Sequence, residues 1–150
     1  VDLKIDSDKI YVPKAEHLTA VHVKTMPYPC FATDLQQPLT PLMAKAAGVS
    51  TVVDTIYPKR VKHIPELQKM GMKIAAGDGK ITIEHTDHFN GADVEAGEIR
   101  AGASLVITGL MADGQTVIHK ADNILRGYDR IVWKLNRLNA NVRIEDDEQD

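Results

Sequence analysis

The sequence has little cysteine, few aromatic residues and no long apolar run. Cys30 is its only cysteine in 150 residues, which excludes an internal disulfide and a multi-cysteine zinc site and fits a reducing cytoplasm. Aromatic residues make up 5%, so the core must be mainly aliphatic. The sequence has no run of about 18 apolar residues, so no transmembrane helix is predicted. It does not begin with a basic segment followed by an apolar one, so no signal peptide is predicted.

The charge is nearly balanced, with 18 basic and 21 acidic residues and a net charge of −3. This balance argues against binding to nucleic acid or to a membrane surface through a basic patch. With 43% hydrophobic residues, a chain of this length can bury roughly two-thirds of its unfolded surface. The length and composition therefore fit one folded domain.

Apolar periodicity and turn residues predict the individual elements. Period-2 runs indicate strands at 3–5, 9–12, 20–24, 51–53, 72–75, 80–83, 116–118 and 141–144. Helical periodicity indicates helices at 34–47, at 58–70 with Pro65 as an alternative start, at 98–112 and at 127–138. The small residues of the third helix, among them Gly102, predict close packing against a sheet. The acidic residues 145–150 are expected to form a solvated tail.

An internal repeat of about 66 residues is the most informative pattern. A shift of 66 pairs Leu39 with Leu105 and Gly48 with Gly114, and a further slip of two residues pairs Leu67 with Leu135. Such self-similarity indicates a pseudo-symmetric architecture. In this register, 1–30 end one repeat, 31–95 form a full repeat and 96–150 form most of the next. We therefore expect the chain to be one segment of a larger domain.

The same shift pairs Asp34 with Arg100, both near a helix start, and Arg60 with Arg126. Helix N-termini favour anions, and arginine binds phosphate or carboxylate with two hydrogen bonds. The pattern is consistent with a site lined by the repeats. Spacing alone favours the alternative interpretation, in which these are surface arginines that pair with nearby acids.

Other candidate residues favour structural roles. Cys30 has no evident base or cation beside it and is interpreted as a passive thiol. His85, Asp87 and His88 lie in a loop without metal-site spacing, so no metal is predicted. The segment 77–80 precedes a strand, and it is read as a hairpin turn instead of a phosphate-binding loop.

Four segments, 31–36, 54–67, 99–105 and 126–131, resemble the UDP-N-acetylglucosamine enolpyruvyl transferases. The matches run in order and cover nearly all of the chain. The shikimate-phosphate enolpyruvyl transferases share the fold but lack the pattern at 55–60 and 64–67, so they are the weaker match.

The resemblance implies an inside-out α/β barrel of helix–strand repeats in each of two domains. This chain resembles the C-terminal part, holding most of one domain. The implied reaction transfers the enolpyruvyl group of phosphoenolpyruvate to the 3-hydroxyl of UDP-N-acetylglucosamine and releases phosphate. This is the first committed step of peptidoglycan synthesis, the polymer that sets cell shape and supports division. It takes place in the cytoplasm, with no metal or organic cofactor.

The resemblance also implies roles for individual residues. Asp34 matches the aspartate that contacts the sugar hydroxyl and is a candidate general base. Ile56 matches a backbone contact to the nucleotide sugar, and Tyr57 matches the aromatic residue beside it. Arg126 matches an arginine that binds the carboxylate or phosphate of phosphoenolpyruvate.

Arg100 and Arg60 match further active-site arginines, and Arg100 is expected to respond to domain closure. The chain also departs from the family pattern. The reactive loop cysteine, a lysine–asparagine pair and a loop arginine belong to parts of the enzyme outside this sequence, and Cys30 is not that cysteine. Glu98 stands where aspartate is common. The isolated chain is therefore expected to be inactive, and a non-catalytic nucleotide-sugar-binding module remains the alternative.

Overall fold

The computed structural model describes residues 3–145. Its strands are β1 (Lys4–Ile5), β2 (Ile10–Tyr11), β3 (His22–Thr25), β4 (Val49–Asp54), β5 (Ile74–Gly77), β6 (Lys80–Glu84), β7 (Phe89–Asn90), β8 (Asp93–Glu95), β9 (Ala112–Asp113) and β10 (Val117–His119). Its helices are α1 (Gln36–Lys45), α2 (Ile64–Lys69), α3 (Ile99–Leu110), α4 (Asp122–Leu125) and α5 (Ile131–Asn136), and a 3-10 turn, Thr33–Leu35, precedes α1. Among the described residues, no helix is long and apolar enough to cross a membrane.

A four-stranded sheet with the order β3-β4-β6-β5 forms the centre. Strands β3 and β4 are parallel, whereas β6 is antiparallel to both β4 and β5. The hairpin β5–β6 turns through Asp78 and Gly79, both of which have positive φ. This confirms the hairpin turn predicted for 77–80.

The core lies between this sheet and helices α1, α2 and α3. It is mainly aliphatic, as the low aromatic content predicts, and Phe89 is the one aromatic side chain within it. The buried cluster comprises Met43, Ala44, Val52, Ile64, Leu67, Met70, Met72, Ile74, Ile81, Ile83, Phe89, Val94 and Leu105.

The order strand, helix, parallel strand occurs twice, as β3-α1-β4 and as β8-α3-β10. This agrees with the repeat in the sequence. The close packing expected of α3 is made with a helix as well as with strands. A Cβ atom at Gly102 would lie 2.4 Å from Cγ1 of Ile124 in α4, so only glycine permits this approach.

One predicted helix is too long and one predicted strand is wrong. Of the helix predicted over 127–138, the structure contains α5 alone, which starts later because Arg130 directly before it has a left-handed backbone with φ 50°. The short helix α4 lies before this range and was not predicted. The strand predicted over 141–144 is irregular. There Asn136 bonds both the N–H and the C=O of Val142, a local arrangement that replaces strand pairing.

Most other boundaries move by one to three residues. Helix α1 ends at Lys45 instead of residue 47, and α2 starts near the alternative Pro65 start. The two-residue and three-residue strands β7, β8 and β9 were not predicted. Most of the predicted acidic tail, 146–150, lies outside the described residues.

Candidate active site

Asp34, Arg60 and Arg100 meet at one carboxylate oxygen. Oδ1 of Asp34 accepts a hydrogen bond from Nη1 of Arg60 at 3.1 Å, and Nε of Arg100 lies 2.7 Å from the same oxygen. We call these three residues the aspartate–arginine cluster. The structure therefore brings together three predicted site residues from the turn before α1, the loop after β4 and the first turn of α3.

Electrostatics keep this carboxylate ionised. The hydrogen bond from Arg100 is the main cause that lowers the pKa of Asp34. Burial opposes it, and the hydrogen bond from Arg60 lowers the pKa further. Asp34 in turn raises the pKa of Arg100. The Asp34 side chain is 57% exposed, so the paired groups face solvent and can be reached by a ligand.

The two arginines differ in how firmly they are held. Arg60 also donates to the carbonyl oxygen of Thr33 at 3.3 Å and to its hydroxyl at 3.1 Å, and its guanidinium stacks 4.4 Å from the ring centre of Tyr57. Its side chain is 12% exposed, against 31% for Arg100. Arg60 is therefore held by more contacts than Arg100, which is the more exposed cation.

Asp54, at the end of β4, is a site residue that the sequence did not reveal. Its carboxylate accepts hydrogen bonds from the hydroxyls of Thr25 at 2.7 Å and Thr33 at 2.6 Å. It also accepts the backbone N–H groups of Ile56 at 3.0 Å and Tyr57 at 2.8 Å. Asp54 ends an apolar strand, and Ile56 and Tyr57 follow it two and three residues later. An aspartate in this position is typical of an Asx turn, and this signal could have identified it.

Burial of Asp54 acts to raise its pKa, but the hydrogen bonds from Thr33, Tyr57, Thr25 and Ile56 outweigh this effect and lower it. The side chain is buried. The ionised carboxylate thus fixes both the turn that carries Asp34 and the loop that carries Ile56 and Tyr57.

A cleft of about 850 Å³ adjoins the cluster. Three predicted site residues, Ile56, Tyr57 and Arg60, line one wall, and His63 and Glu98 line another part. An open cleft of this volume with arginine at its edge can accept a polar, anionic small molecule.

Arg126 is not joined to the cluster. It is exposed and follows the last residue of α4, where its backbone N–H donates to the carbonyl oxygen of Asp122 at 3.1 Å. Its side chain makes no hydrogen bond or ion pair with another residue within 3–145. The next residue, Gly127, packs against Ile99, where a Cβ atom would lie 2.4 Å from Cγ2. This contact places the Arg126 turn beside the first turn of α3.

Two further groups of candidates lie elsewhere. Cys30 is exposed. His85 bonds the carbonyl oxygen of Ala46 at 3.1 Å and Asp87 at 2.9 Å, and His88 lies 3.6 Å from Asp113. The part of the chain that the structure describes holds no group of three side chains that could bind a metal.

The family model described as EPSP synthase (3-phosphoshikimate 1-carboxyvinyltransferase) matches residues 3–135. The chain belongs to the EPSP synthase family.

Curated relatives are named UDP-N-acetylglucosamine 1-carboxyvinyltransferase. One from Lactobacillus johnsonii is 56% identical over 97% of this chain, and the enzyme numbered 2 from Lactiplantibacillus plantarum is 56% identical over 99%. The chain spans about a third of the length of these EPSP synthase family relatives, 35% in both cases.

Two solved structures of the EPSP synthase family share the fold. The enolpyruvyl transferase NikO from Streptomyces tendae has a TM-score of 0.86 and 26% identity, over 95% of this chain and 33% of that one. EPSP synthase from Acinetobacter baumannii has a TM-score of 0.52 and 16% identity over 67% of this chain and 23% of that one, which is a likeness of fold alone. These matches confirm the predicted family, its transferase class and its α/β fold.

His63 lines the cleft, and its side chain is buried, with 1% exposure. Burial disfavours the imidazolium and lowers the pKa of His63 to about 4, while the charge of Glu98 acts in the opposite direction. The side chain is therefore neutral in the folded chain at neutral pH.

This shift predicts a loss of stability in mild acid. In the unfolded chain histidine binds a proton near pH 6.5, whereas the folded chain resists it until about pH 4, so stability falls through that window. We expect the free energy of unfolding to drop by about 2–3 kcal/mol between pH 7 and pH 4.5 from this residue. Urea unfolding at both pH values measures it.

The comparison variant His63→Leu removes this part of the pH dependence. His17→Gln, at an exposed position, serves as the control and should keep it. An unchanged pH dependence in His63→Leu would show that the folded chain does not exclude the proton.

Proposed function

We propose that this chain supplies part of the active site of an enolpyruvyl transferase. The acceptor is UDP-N-acetylglucosamine, the donor is phosphoenolpyruvate, and the reaction is the first committed step of peptidoglycan synthesis in the cytoplasm. The observation that carries the proposal is the aspartate–arginine cluster beside the cleft. The names of the relatives that are 49–56% identical support this acceptor.

In the proposed addition step, the 3-hydroxyl oxygen bonds to C2 of phosphoenolpyruvate while C3 gains a proton. Asp34 accepts the hydroxyl proton as the C–O bond forms, which is the task of a general base. Ile56 and Tyr57 orient the nucleotide sugar from the wall of the cleft. In the elimination step, C3 loses a proton and the C2–O bond to phosphate breaks.

The arginines act on the negative charges of this reaction. Arg126 binds the carboxylate or phosphate of phosphoenolpyruvate, and Arg100 and Arg60 stabilise the tetrahedral intermediate and the leaving phosphate. No step needs a metal or an organic cofactor. Because the chain spans about a third of its relatives, the remaining catalytic groups, including the loop cysteine, come from outside these 150 residues.

A chimera tests this proposal. In the Lactiplantibacillus plantarum relative, the matching segment is replaced by these residues, and we call the product the host chimera. We expect it to release phosphate from phosphoenolpyruvate with UDP-N-acetylglucosamine and not with shikimate 3-phosphate. The unaltered relative is the positive control, and the isolated chain should be inactive.

A host chimera that melts cooperatively but releases no phosphate with either acceptor would refute the proposal. Phosphate release with shikimate 3-phosphate alone would assign the chain to the acceptor named in the family description.

Arg126→Ala provides a more local prediction. Loss of a charge-assisted hydrogen bond costs about 1.5–3 kcal/mol, so we expect the KM for phosphoenolpyruvate in the host chimera to rise about 10- to 100-fold. The KM for UDP-N-acetylglucosamine should change much less. Arg137→Ala makes the same charge change at an exposed position outside the cleft and is the control. An unaltered phosphoenolpyruvate titration would exclude the anion-binding role of Arg126.

A further inference from the structure

Three polar side chains lie behind the aspartate–arginine cluster, each on a segment that also carries one of its members. Gln37 is in the first turn of α1, three residues after Asp34. His63 directly precedes α2, three residues after Arg60, and Glu98 precedes α3, two residues before Arg100. Contacts among these three side chains therefore help to position the segments that carry Asp34, Arg60 and Arg100.

Glu98 is the point where they converge. Nε2 of Gln37 donates to Oε1 of Glu98 at 2.8 Å. The Glu98 carboxylate is close enough to act electrostatically on the His63 ring, and both side chains line the cleft. The backbone carbonyl of Glu98 accepts the N–H of Gly102 at 2.8 Å, so Glu98 is built into the first turn of α3.

His63 lacks the hydrogen bonds that a buried imidazole normally has. Its exposure is 1%, and neither ring nitrogen has a hydrogen-bond partner within residues 3–145. An unpaired buried polar group costs folding free energy that a leucine in its place would not. Packing alone therefore does not account for histidine here, since both ring nitrogens are available to a hydrogen-bond partner.

We propose that His63 is a positioning residue of the site: when a nucleotide sugar fills the cleft, a ring N–H donates to Glu98 and locks the first turn of α3, and with it Arg100. A carboxylate has two oxygens, so Glu98 accepts from Gln37 and His63 together. Arg100 is the less firmly held arginine, and it gains most from this support. This inference rests on the proposed function.

The decisive variant is His63→Leu in the host chimera. We expect kcat to fall about 10- to 100-fold, since small misplacement of a catalytic group has effects of this size. We expect the melting temperature at neutral pH to stay the same or rise, because the variant removes unpaired polar atoms. His63→Gln retains a donor and should recover most of the lost kcat.

Met70→Leu is the matched control. Met70 is fully buried at the other end of α2, and this volume-conserving change should leave both kcat and stability nearly unaltered.

Hydrogen exchange supplies a readout that is independent of turnover. With saturating UDP-N-acetylglucosamine, amides of residues 99–104 should gain protection in the unmutated host chimera and in its His63→Gln variant, but not in its His63→Leu variant.

The outcomes separate the inference from the proposed function. Phosphate release with equal kcat in the unmutated host chimera and in His63→Leu overturns the inference while the proposed function stands. Ligand-induced protection that depends on His63, without phosphate release, supports the inference and refutes the proposed function. Equal exchange in all three proteins overturns the inference.

Discussion

Replacement of Asp34 by alanine in the host chimera is expected to lower kcat by about 10²- to 10⁴-fold, the usual contribution of a general base. The variant removes the proton acceptor and also the shared partner of Arg60 and Arg100. Stability should change by less than about 1 kcal/mol, because exposed ion pairs contribute little to folding. Phosphate release and thermal melting on the same preparation measure the two effects.

Asp93→Ala is the control for Asp34→Ala. Asp93 is an exposed carboxylate that contacts His119 at 3.2 Å, away from the cleft. This control should retain full turnover. If Asp34→Ala kept its turnover as well, Asp34 would be neither the base nor a contact of the acceptor hydroxyl.

Replacement of Asp54 by alanine should have the largest effect on stability. Four donors would lose their acceptor, and hydrogen bonds to a charged group contribute about 1.5–3 kcal/mol each in isolation but share one site. We expect the free energy of unfolding to fall by about 3–5 kcal/mol, because buried donors that are left without an acceptor cost about 1–3 kcal/mol each and partly relax. Urea unfolding of the chain measures it.

The pH dependence identifies the cause of this loss. Because the folded pKa of Asp54 is lowered, its stabilisation is present above the unfolded value, about 3.9, and is lost as the pH falls through the folded value. Asp54→Asn keeps an acceptor but cannot titrate, so its stability should fall less steeply than that of the wild type below about pH 4. Equal acid slopes would mean that the charge of Asp54 does not stabilise the fold.

Local sequence signals were sufficient for much of the fold. The alternating run at 80–83 and the turn at 77–80 fixed the hairpin β5–β6. The late start of α5 was not predictable, because the left-handed backbone at Arg130 leaves no mark on the apolar stripe of Ile131, Val132 and Leu135 that follows it. Strands of two or three residues, such as β7 and β9, are too short to show a period.

The site divides in the same way. The repeat and the family resemblance predicted Asp34, Arg60 and Arg100 as site residues, since each lies in a recognisable segment. Asp54 and His63 were missed because their importance comes from burial, which depends on how β3, the turn before α1 and the loop after β4 pack together. Spacing along the chain contains no information on that packing.

A single oxygen of Asp34 bonds both arginines, and this makes ligand binding and proton affinity mutually dependent. While both cations remain in place, the carboxylate is a poor base. An anionic donor that draws one guanidinium toward its phosphate would remove part of that stabilisation, and the basicity of Asp34 would rise at the moment when the acceptor needs deprotonation. In the proposed reaction, the carboxylate would then gain basicity only once both substrates are bound.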